Sequence, residues 1–479
     1  MNDGFIGRSL QLAQLDQRLG LVRESGRGIA VTLRGRRQVG KSRLVQELCD
    51  RAELPYVYLT AAKGASSTES IRRFHDDIKE SSLRRASGDD PVMPAENWVG
   101  LLRAVDDLVD DEPVIIVIDE VPWLTEQDDT FDGALQLVWD RYLSRKPVLL
   151  CLLGSDLHMM ERFTSYDRPF YGRSDNMHLL PLSPVETAEA TGLGGADAVE
   201  AHLLSAGLPG AVRNWPGGTP PLEYLRSKSD DPALPLFSIP EASLLAEFPS
   251  PDTKRRVLEA IGSGERTQEN IAAGSGGLAT GTLTPILQLL VNGKRVVGRA
   301  DPLSTRPGKP ALFHIEDPNL RWYLAMGRDA QELARRGHGG QAFQIIERRW
   351  ASWLGRAVEP LVREALLVSA LAGRLPWEGV EAVGGWWNRA FNPEIDLVGA
   401  DRAPVAGSVF FTGSVKWLRG AFDRRDMADL ERSAPAMPGF DPEATGMVVV
   451  SRSGVDSRVD RDRFDLAWGP EDLLEAWRG

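Results

Sequence analysis

Two uninterrupted apolar runs stand out along the chain, Val114-Ile115-Ile116-Val117-Ile118 and Val148-Leu149-Leu150-Cys151-Leu152-Leu153. Runs of this length without polar alternation suit strands buried on both faces of a parallel sheet. Gly28–Leu33 predicts a shorter strand of the same kind. Ser42–Arg51 places Leu44, Val45 and Leu48 at helical spacing, and Phe131–Leu143 also reads as a helix. Strand and helix alternate in this stretch, which predicts an α/β domain with a doubly wound parallel sheet over residues 1–180. Residues 82–97 are rich in Ser, Gly, Asp, Pro and Asn and read as a loop or insertion.

The pattern changes after residue 180. Residues 181–235 carry short helical patterns punctuated by Pro184, Pro209, Pro216, Pro220 and Pro221, and a helical lid is expected there. Within 236–330, Asp252–Gly262, Thr267–Ala273 and Thr282–Asn292 read as three helices. Two short strands follow, Arg295–Arg299 and Ala311–Ile315, separated by a Pro/Gly-rich tip. Three helices and a two-stranded wing predict a winged helix–turn–helix. Residues 331–479 open with a long amphipathic helix. Strands then follow around Ile395–Val398, Val409–Phe411 and Met447–Val450. No internal repeat or low-complexity tract is visible.

Composition narrows the function classes. Hydrophobic residues make up 42% of the 479 and charged residues 26%, which excludes a disordered or fibrous chain. The net charge of −12 disfavours constitutive, non-specific binding to nucleic acid or anionic membrane. Cys49 and Cys151, the two cysteines, exclude a disulfide framework. The amino terminus has neither the basic start nor the apolar stretch of a signal peptide. The apolar runs fall short of the ~20 residues that span a bilayer, so a cytoplasmic protein without membrane partners is expected.

The strongest chemical signal is Gly35-Arg36-Arg37-Gln38-Val39-Gly40-Lys41-Ser42, which fits G-x-x-x-x-G-K-[ST] between a strand and a helix. Glycines let successive backbone N–H groups turn toward phosphates, and the following helix presents its positive end. Residues Gly35 to Ser42, together with Arg43, are candidate ATP-binding residues. Lys41 suits the β/γ-phosphates and Ser42 suits Mg²⁺. Asp119-Glu120 closes the Val114–Ile118 run, where open α/β sheets bind ligands. Asp119 suits Mg²⁺ through water, and Glu120 suits activation of an attacking water. Ser155, just past the next strand, is placed to sense the γ-phosphate. Arg168 and Arg173 are candidates for an arginine supplied to phosphate, and supply across subunits would require a homo-oligomer.

Phe5-Ile6-Gly7-Arg8, the phosphate loop and Ile118-Asp119-Glu120-Val121-Pro122-Trp123-Leu124 together resemble the prokaryotic "archaeal ATPase" group of signal-transduction (STAND) ATPases near the AAA+ proteins. Gly207-Leu208-Pro209 is similar to the Gly-x-Pro element of STAND lids. The resemblance implies that Pro209 packs on adenine and that Phe5, Ile6, Gly7 and Arg8 lie by the base. It covers roughly the first 230 residues.

Residues 254–309 carry nine basic side chains (Lys254, Arg255, Arg256, Arg266, Lys294, Arg295, Arg299, Arg306 and Lys309) against Glu259, Glu265, Glu269 and Asp301, a net +5. Such a face suits phosphate contacts with DNA. The presumed recognition helix offers Thr280, Thr282, Thr284 and Gln288 and no Arg, so backbone contact is favoured over base readout. The alternative is that this segment regulates the ATPase only by packing.

In the carboxyl-terminal segment Glu359 falls on a helix, Glu394 and Asp396 on one face of a strand, and Ser414 and Lys416 on one face of the next. This order resembles the PD-(D/E)xK nuclease fold, in which acidic residues hold Mg²⁺ and Lys serves the attacking water. Ser414 stands where the pattern has an acid, which removes one charged ligand from the cage. A degenerate, non-cleaving domain is expected, with an altered nuclease as the alternative. The histidines form no ligand pattern, and Trp386, Trp387 and Trp417 read as core residues. The function expected is an ATP-binding, Mg²⁺-dependent ATP-hydrolysing switch acting on or with DNA. Two alternatives stand beside it, a nucleotide-gated scaffold for a protein partner and an ATP-controlled nuclease.

Overall fold

The computed structural model describes residues 5–87, 94–250, 252–308 and 310–478. The chain forms two compact units, Met1–Pro181 and Leu182–Gly479.

In chain order the first unit holds α1 (Ser9–Ser25), β1 (Ile29–Arg34), α2 (Lys41–Ala52), β2 (Tyr56–Thr60), α3 (Ser67–Glu80), α4 (Ser82–Ala86) and α5 (Trp98–Asp106). It continues with β3 (Val114–Asp119), α6 (Val121–Gln127), α7 (Thr130–Arg141), β4 (Val148–Gly154), α8 (Leu157–Phe163) and β5 (Ser174–His178). The five strands form one parallel sheet in the order β2-β3-β4-β1-β5. Every residue of β3 and β4 is buried, the outcome that their unbroken apolar runs predict. β1 and β3 flank β4, so the loops leaving all three strands emerge side by side at one edge of the sheet. Between sheet and helices, the Trp98 ring packs edge-on against Phe74 and Phe131, at 6.0 and 5.1 Å between centroids.

Part of the expected 82–97 loop is helical. Ser81 caps α4 by accepting from the Arg84 N–H at 3.1 Å, and residues 88–93 lie outside the described residues. β2 and β5 escaped the sequence reading because both are edge strands. β5 is largely polar and exposed, so it lacks the apolar run that marks a central strand.

The second unit opens with α9 (Pro184–Thr191), α10 (Gly195–Ser205), α11 (Pro209–Val212), α12 (Pro221–Ser227) and α13 (Pro235–Glu247). Three helices follow, α14 (Thr253–Gly262), α15 (Gln268–Gly274) and α16 (Thr280–Gln288), and then an antiparallel ribbon of β6 (Val297–Ala300) and β7 (Leu312–Ile315). Next come α17 (Pro318–Trp322), α18 (Arg328–Arg335) and the 33-residue α19 (Gly339–Leu371). The chain ends with β8 (Ala382–Trp387), β9 (Glu394–Ala400), β10 (Val409–Lys416), α20 (Arg424–Ser433), β11 (Gly446–Ser451), β12 (Leu466–Trp468) and α21 (Pro470–Glu475). These strands form a mixed sheet in the order β12-β11-β10-β9-β8. β8, β9 and β10 are antiparallel to one another, while β10, β11 and β12 are parallel.

Buried polar contacts hold this unit together across long sequence distances. Glu200 of α10, only 4% exposed, meets Arg452 at 2.6 Å. The Asn319 amide donates to the Leu204 and Leu236 carbonyls at 2.8 and 3.3 Å. The residues expected to form a lid, a winged helix and a nuclease-like domain thus share one compact body. Trp386, Trp387 and Trp417 are all buried, as expected of core residues, and Cys49 and Cys151 are buried and free.

Gly207 joins α10 to α11 at φ +62°, where a Cβ would stand 2.2 Å from the Leu182 carbonyl oxygen. Gly337 has φ +74° with open space around it. Gly337→Ala should therefore cost only the left-handed backbone penalty, about 1 kcal/mol. Gly207→Ala adds a backbone clash and should cost more, about 3 kcal/mol; chemical denaturation of the two variants measures the gap. Burial pushes His202 and His314 down to about 4. A histidine held neutral in the fold but protonated in the open chain loses stability as pH falls from about 6.5 to about 4. The unfolding free energy should fall over that window, and His202→Asn should remove its share of the slope in a pH series of denaturant titrations.

Candidate nucleotide site

The loop between β1 and α2 carries the phosphate-binding pattern. Its turn needs left-handed backbone at Gln38 (φ 64°) and Gly40 (φ 94°). Gly35 is packed so closely that a Cβ would lie 2.5 Å from the Leu179 carbonyl oxygen. The Lys41 ammonium, at the start of α2, donates to the Gly35 and Arg36 carbonyls at 2.8 and 3.1 Å. Burial lowers its pKa, while the nearby Glu120 and Asp119 carboxylates oppose the shift. The first turn of α2 holds no acidic residue, so nothing there cancels the positive end of the helix dipole.

Ser42 and Asp119 meet although 77 residues separate them, the hydroxyl donating to Asp119 Oδ2 at 2.6 Å. Asp119 is 5% exposed, and its Oδ1 accepts from the Glu120 N–H at 2.9 Å. Glu120 sits at φ 58°, strained for a non-glycine residue. Its carboxylate accepts from the Ser155 hydroxyl at 2.9 Å and, more weakly, from the Ser155 N–H at 3.3 Å. Close packing continues at Gly154, where a Cβ would fall 2.3 Å from the Met160 sulfur. β3 and β4 together bring Asp119, Glu120 and Ser155 to the phosphate loop.

Among the residues expected near the base, Arg8 is buried and donates to the Val39 carbonyl at 3.0 Å, tying the amino-terminal stretch to the phosphate loop. Gly7 and Arg8 both adopt positive φ, and Ile6 is half-buried. The Phe5 ring lies 5.9 Å from the Arg43 guanidinium. Arg37 lies near enough to Lys41 to lower its pKa further. Pro209 opens α11 in the other unit. Arg173 donates to both oxygens of Asp140 at 2.8 Å, and Arg168 is paired with Asp132. Both candidate arginines are therefore held by acids of their own unit.

One contact had no counterpart in the sequence reading. Tyr58, from edge strand β2, donates to Asp119 Oδ2 at 2.8 Å. The motif spacing does not mark it; the cross-strand register does.

The donor set fits a nucleoside triphosphate with a divalent cation. A buried ammonium, a helix amino terminus and a hydroxyl–carboxylate pair converge at the end of the sheet.

The carboxyl-terminal candidates are arranged differently from the expected metal cage. Arg363 donates to Glu359 at 3.2 Å and to the Asp396 carbonyl at 2.9 Å. Arg266 reaches both oxygens of Glu394, at 3.1 and 3.3 Å. Asp396 Oδ2 accepts from Ser414 and from the Val415 N–H at 3.0 and 2.8 Å. Lys416 is paired with Asp426 on α20. Burial pushes Glu359 up to about 7, with Asp396 and Glu394 adding to the shift and Arg363 opposing it. Among the described residues, no group of three or more His, Cys, Asp or Glu side chains is disposed to hold a metal ion.

In the three-helix-and-ribbon segment, Arg255, Arg266 and Arg299 are engaged by Glu259, Glu394 and Asp301. Lys254, Arg256, Lys294 and Arg306 are exposed, and Lys309 lies outside the described residues. No helix among the described residues is long and apolar enough to cross a membrane.

Residues 4–144 match the model of a family described as an AAA ATPase domain. Residues 322–428 match a family described as archaeal and bacterial proteins of unknown function. No curated protein matches the chain. Among solved structures, the chain is similar to a Walker-type ATPase of Pyrococcus abyssi, at 17% identity over 67% of this chain and 96% of that one, with a TM-score of 0.48. It is also similar to the ORC2 protein of Aeropyrum pernix in its ADPNP–ADP complexes, at 12% identity over 69% and 94% of the two chains and a TM-score of 0.41. The ORC1 protein of Aeropyrum pernix, in complex with DNA, shows 16% identity over 69% and 92%, with a TM-score of 0.32. From residue 4 to residue 144, therefore, the chain carries an AAA-type ATPase domain, and the phosphate loop and Asp119-Glu120 lie within it.

Proposed function

We propose that the protein binds ATP with Mg²⁺ through its first unit and hydrolyses it, acting as a STAND-type switch whose output lies in the Leu182–Gly479 unit. The observation that carries this reading is the joining of Ser42 to Asp119 at 2.6 Å, with Glu120 held by Ser155 alongside. Lys41 and the loop N–H groups bind the phosphates, and Ser42 and Asp119 hold the metal. Mg²⁺, when bound, neutralises phosphate charge as it develops. Glu120 accepts a proton from the attacking water, and Ser155 keeps its carboxylate from swinging away.

A second reading adds DNA. Lys254, Arg256, Lys294 and Arg306 are exposed cations on a three-helix-and-ribbon segment whose element order is that of a winged helix. These four side chains would contact phosphates without reading bases. We assign the carboxyl-terminal module a non-cleaving role, because guanidinium groups already neutralise Glu359 and Glu394.

Lys41→Ala should weaken ATP binding at least about 100-fold, since it removes a buried charge-assisted contact with phosphate. Glu120→Gln should leave binding within a few-fold and lower kcat by about 100-fold or more. Equilibrium binding and a phosphate-release assay on each variant separate the two roles, and full turnover by either variant would refute the assignment. For DNA, fluorescence anisotropy with a labelled duplex across a salt series should show binding only at low salt. Lys254→Ala combined with Arg256→Ala should lower the salt slope by about two, one for each lost phosphate contact. An unchanged slope would remove these residues from the interface.

A further inference from the structure

Asp119 is the residue around which the proposed metal site turns, and its hydrogen bonds can be counted. A carboxylate offers about four lone-pair positions, two on each oxygen. On Oδ2, one position is taken by the Ser42 hydroxyl at 2.6 Å and the other by the Tyr58 phenol at 2.8 Å. On Oδ1, one is taken by the Glu120 N–H at 2.9 Å. A single position remains, on Oδ1.

The sheet places Tyr58 for this contact. Tyr58 pairs with Val117 in the parallel register of β2 and β3, and Thr60 pairs with Asp119. Residues two apart on a strand share a face, so Tyr58 lies on the same face as Asp119. That face is covered by α2, since Tyr56 of the same set touches Gln46.

The two common divalent cations ask different things of a carboxylate. Mg²⁺ is small, keeps several of its waters and is often held through them, whereas Ca²⁺ sheds water readily and takes carboxylates directly or in bidentate fashion. We propose that Tyr58 sets the metal preference of the nucleotide site, filling Asp119 Oδ2 so that Asp119 can offer one contact, through Oδ1, to the water shell of Mg²⁺ and none in bidentate form to Ca²⁺. The inference rests on the ATP–Mg²⁺ reading given above. Tyr58 acts through Asp119 and is a positioning residue.

The test is a titration of a fluorescent ADP analogue into the full chain and into Tyr58→Phe, each in EDTA, in Mg²⁺ and in Ca²⁺. The phenylalanine ring preserves packing and deletes only the donor. The EDTA arm should be unchanged, because the hydrogen bond that Tyr58→Phe removes ends on Asp119, which meets the nucleotide only through the metal. The ratio of Ca²⁺-supported to Mg²⁺-supported affinity should rise about tenfold, the size of effect that follows from removing one hydrogen bond to a charged group. An unchanged ratio overturns the proposal, and so does an equal loss in all three arms, which would mark Tyr58 as a purely structural support. If the parent chain binds the analogue in none of the three conditions, the ATP reading itself fails and takes the inference with it.

Discussion

The hydrogen bond between Ser42 and Asp119 is the constraint on which the candidate site depends. It joins the start of α2 to the end of β3 across 77 residues, over the end of β4, which lies between β1 and β3. The sheet order brings the two loops to one edge, and complete burial of β3 and β4 fixes their height. A carboxylate that is 5% exposed is costly unless its lone pairs are used. Donors from β2, α2 and the α6 amino terminus meet that cost jointly, so the site is an outcome of the sheet's packing and not of the loop alone.

The central strands and the phosphate loop were legible in the sequence because their signals are local. Val114–Ile118 and Val148–Leu153 are unbroken apolar runs, and a motif of eight residues needs no tertiary knowledge. Edge strands were not legible. β5 is mostly polar and exposed, and the five-residue β2 alternates buried Val57 and Leu59 with half-buried tyrosines, so neither shows the long apolar run of a central strand. The same limit hid Tyr58, whose role follows from pairing with Val117, a contact that no spacing along the chain encodes. Past residue 180, contacts between segments distant in sequence are equally invisible to local pattern. Prolines punctuate the chain there and suggest separate modules, but Asn319 reaches two carbonyls 115 and 83 residues away. Glu200 meets Arg452 across 252 residues. These buried contacts merge the segments into one body.

Charge is redistributed in the same way. The basic segment reads as +5 along the sequence, but Arg255, Arg266 and Arg299 are each engaged by an acid. The field available to a phosphate is carried by fewer side chains than the sequence count implies. Arg266 illustrates the point, since its guanidinium is directed at Glu394 of the mixed sheet.

Two carboxylate centres in this chain show how partner chemistry decides what an acid can do. Asp119 is satisfied by neutral donors, a hydroxyl, a phenol and an N–H. These contacts fill its lone pairs without bringing charge, so the carboxylate still draws cations, the Lys41 ammonium among them. Glu359 and Glu394 are satisfied by guanidinium groups from Arg363 and Arg266. Those partners cancel the charge as well as filling the lone pairs, so a divalent cation would have to displace an ion pair in a poorly solvated place. Burial pushes Glu359 up to about 7 and makes the neutral acid accessible near neutral pH, which lowers its attraction for a metal further. Residues that match a metal-site pattern by type and spacing are thus disposed in opposite directions by whether their partners bring hydrogen bonds alone or charge with them.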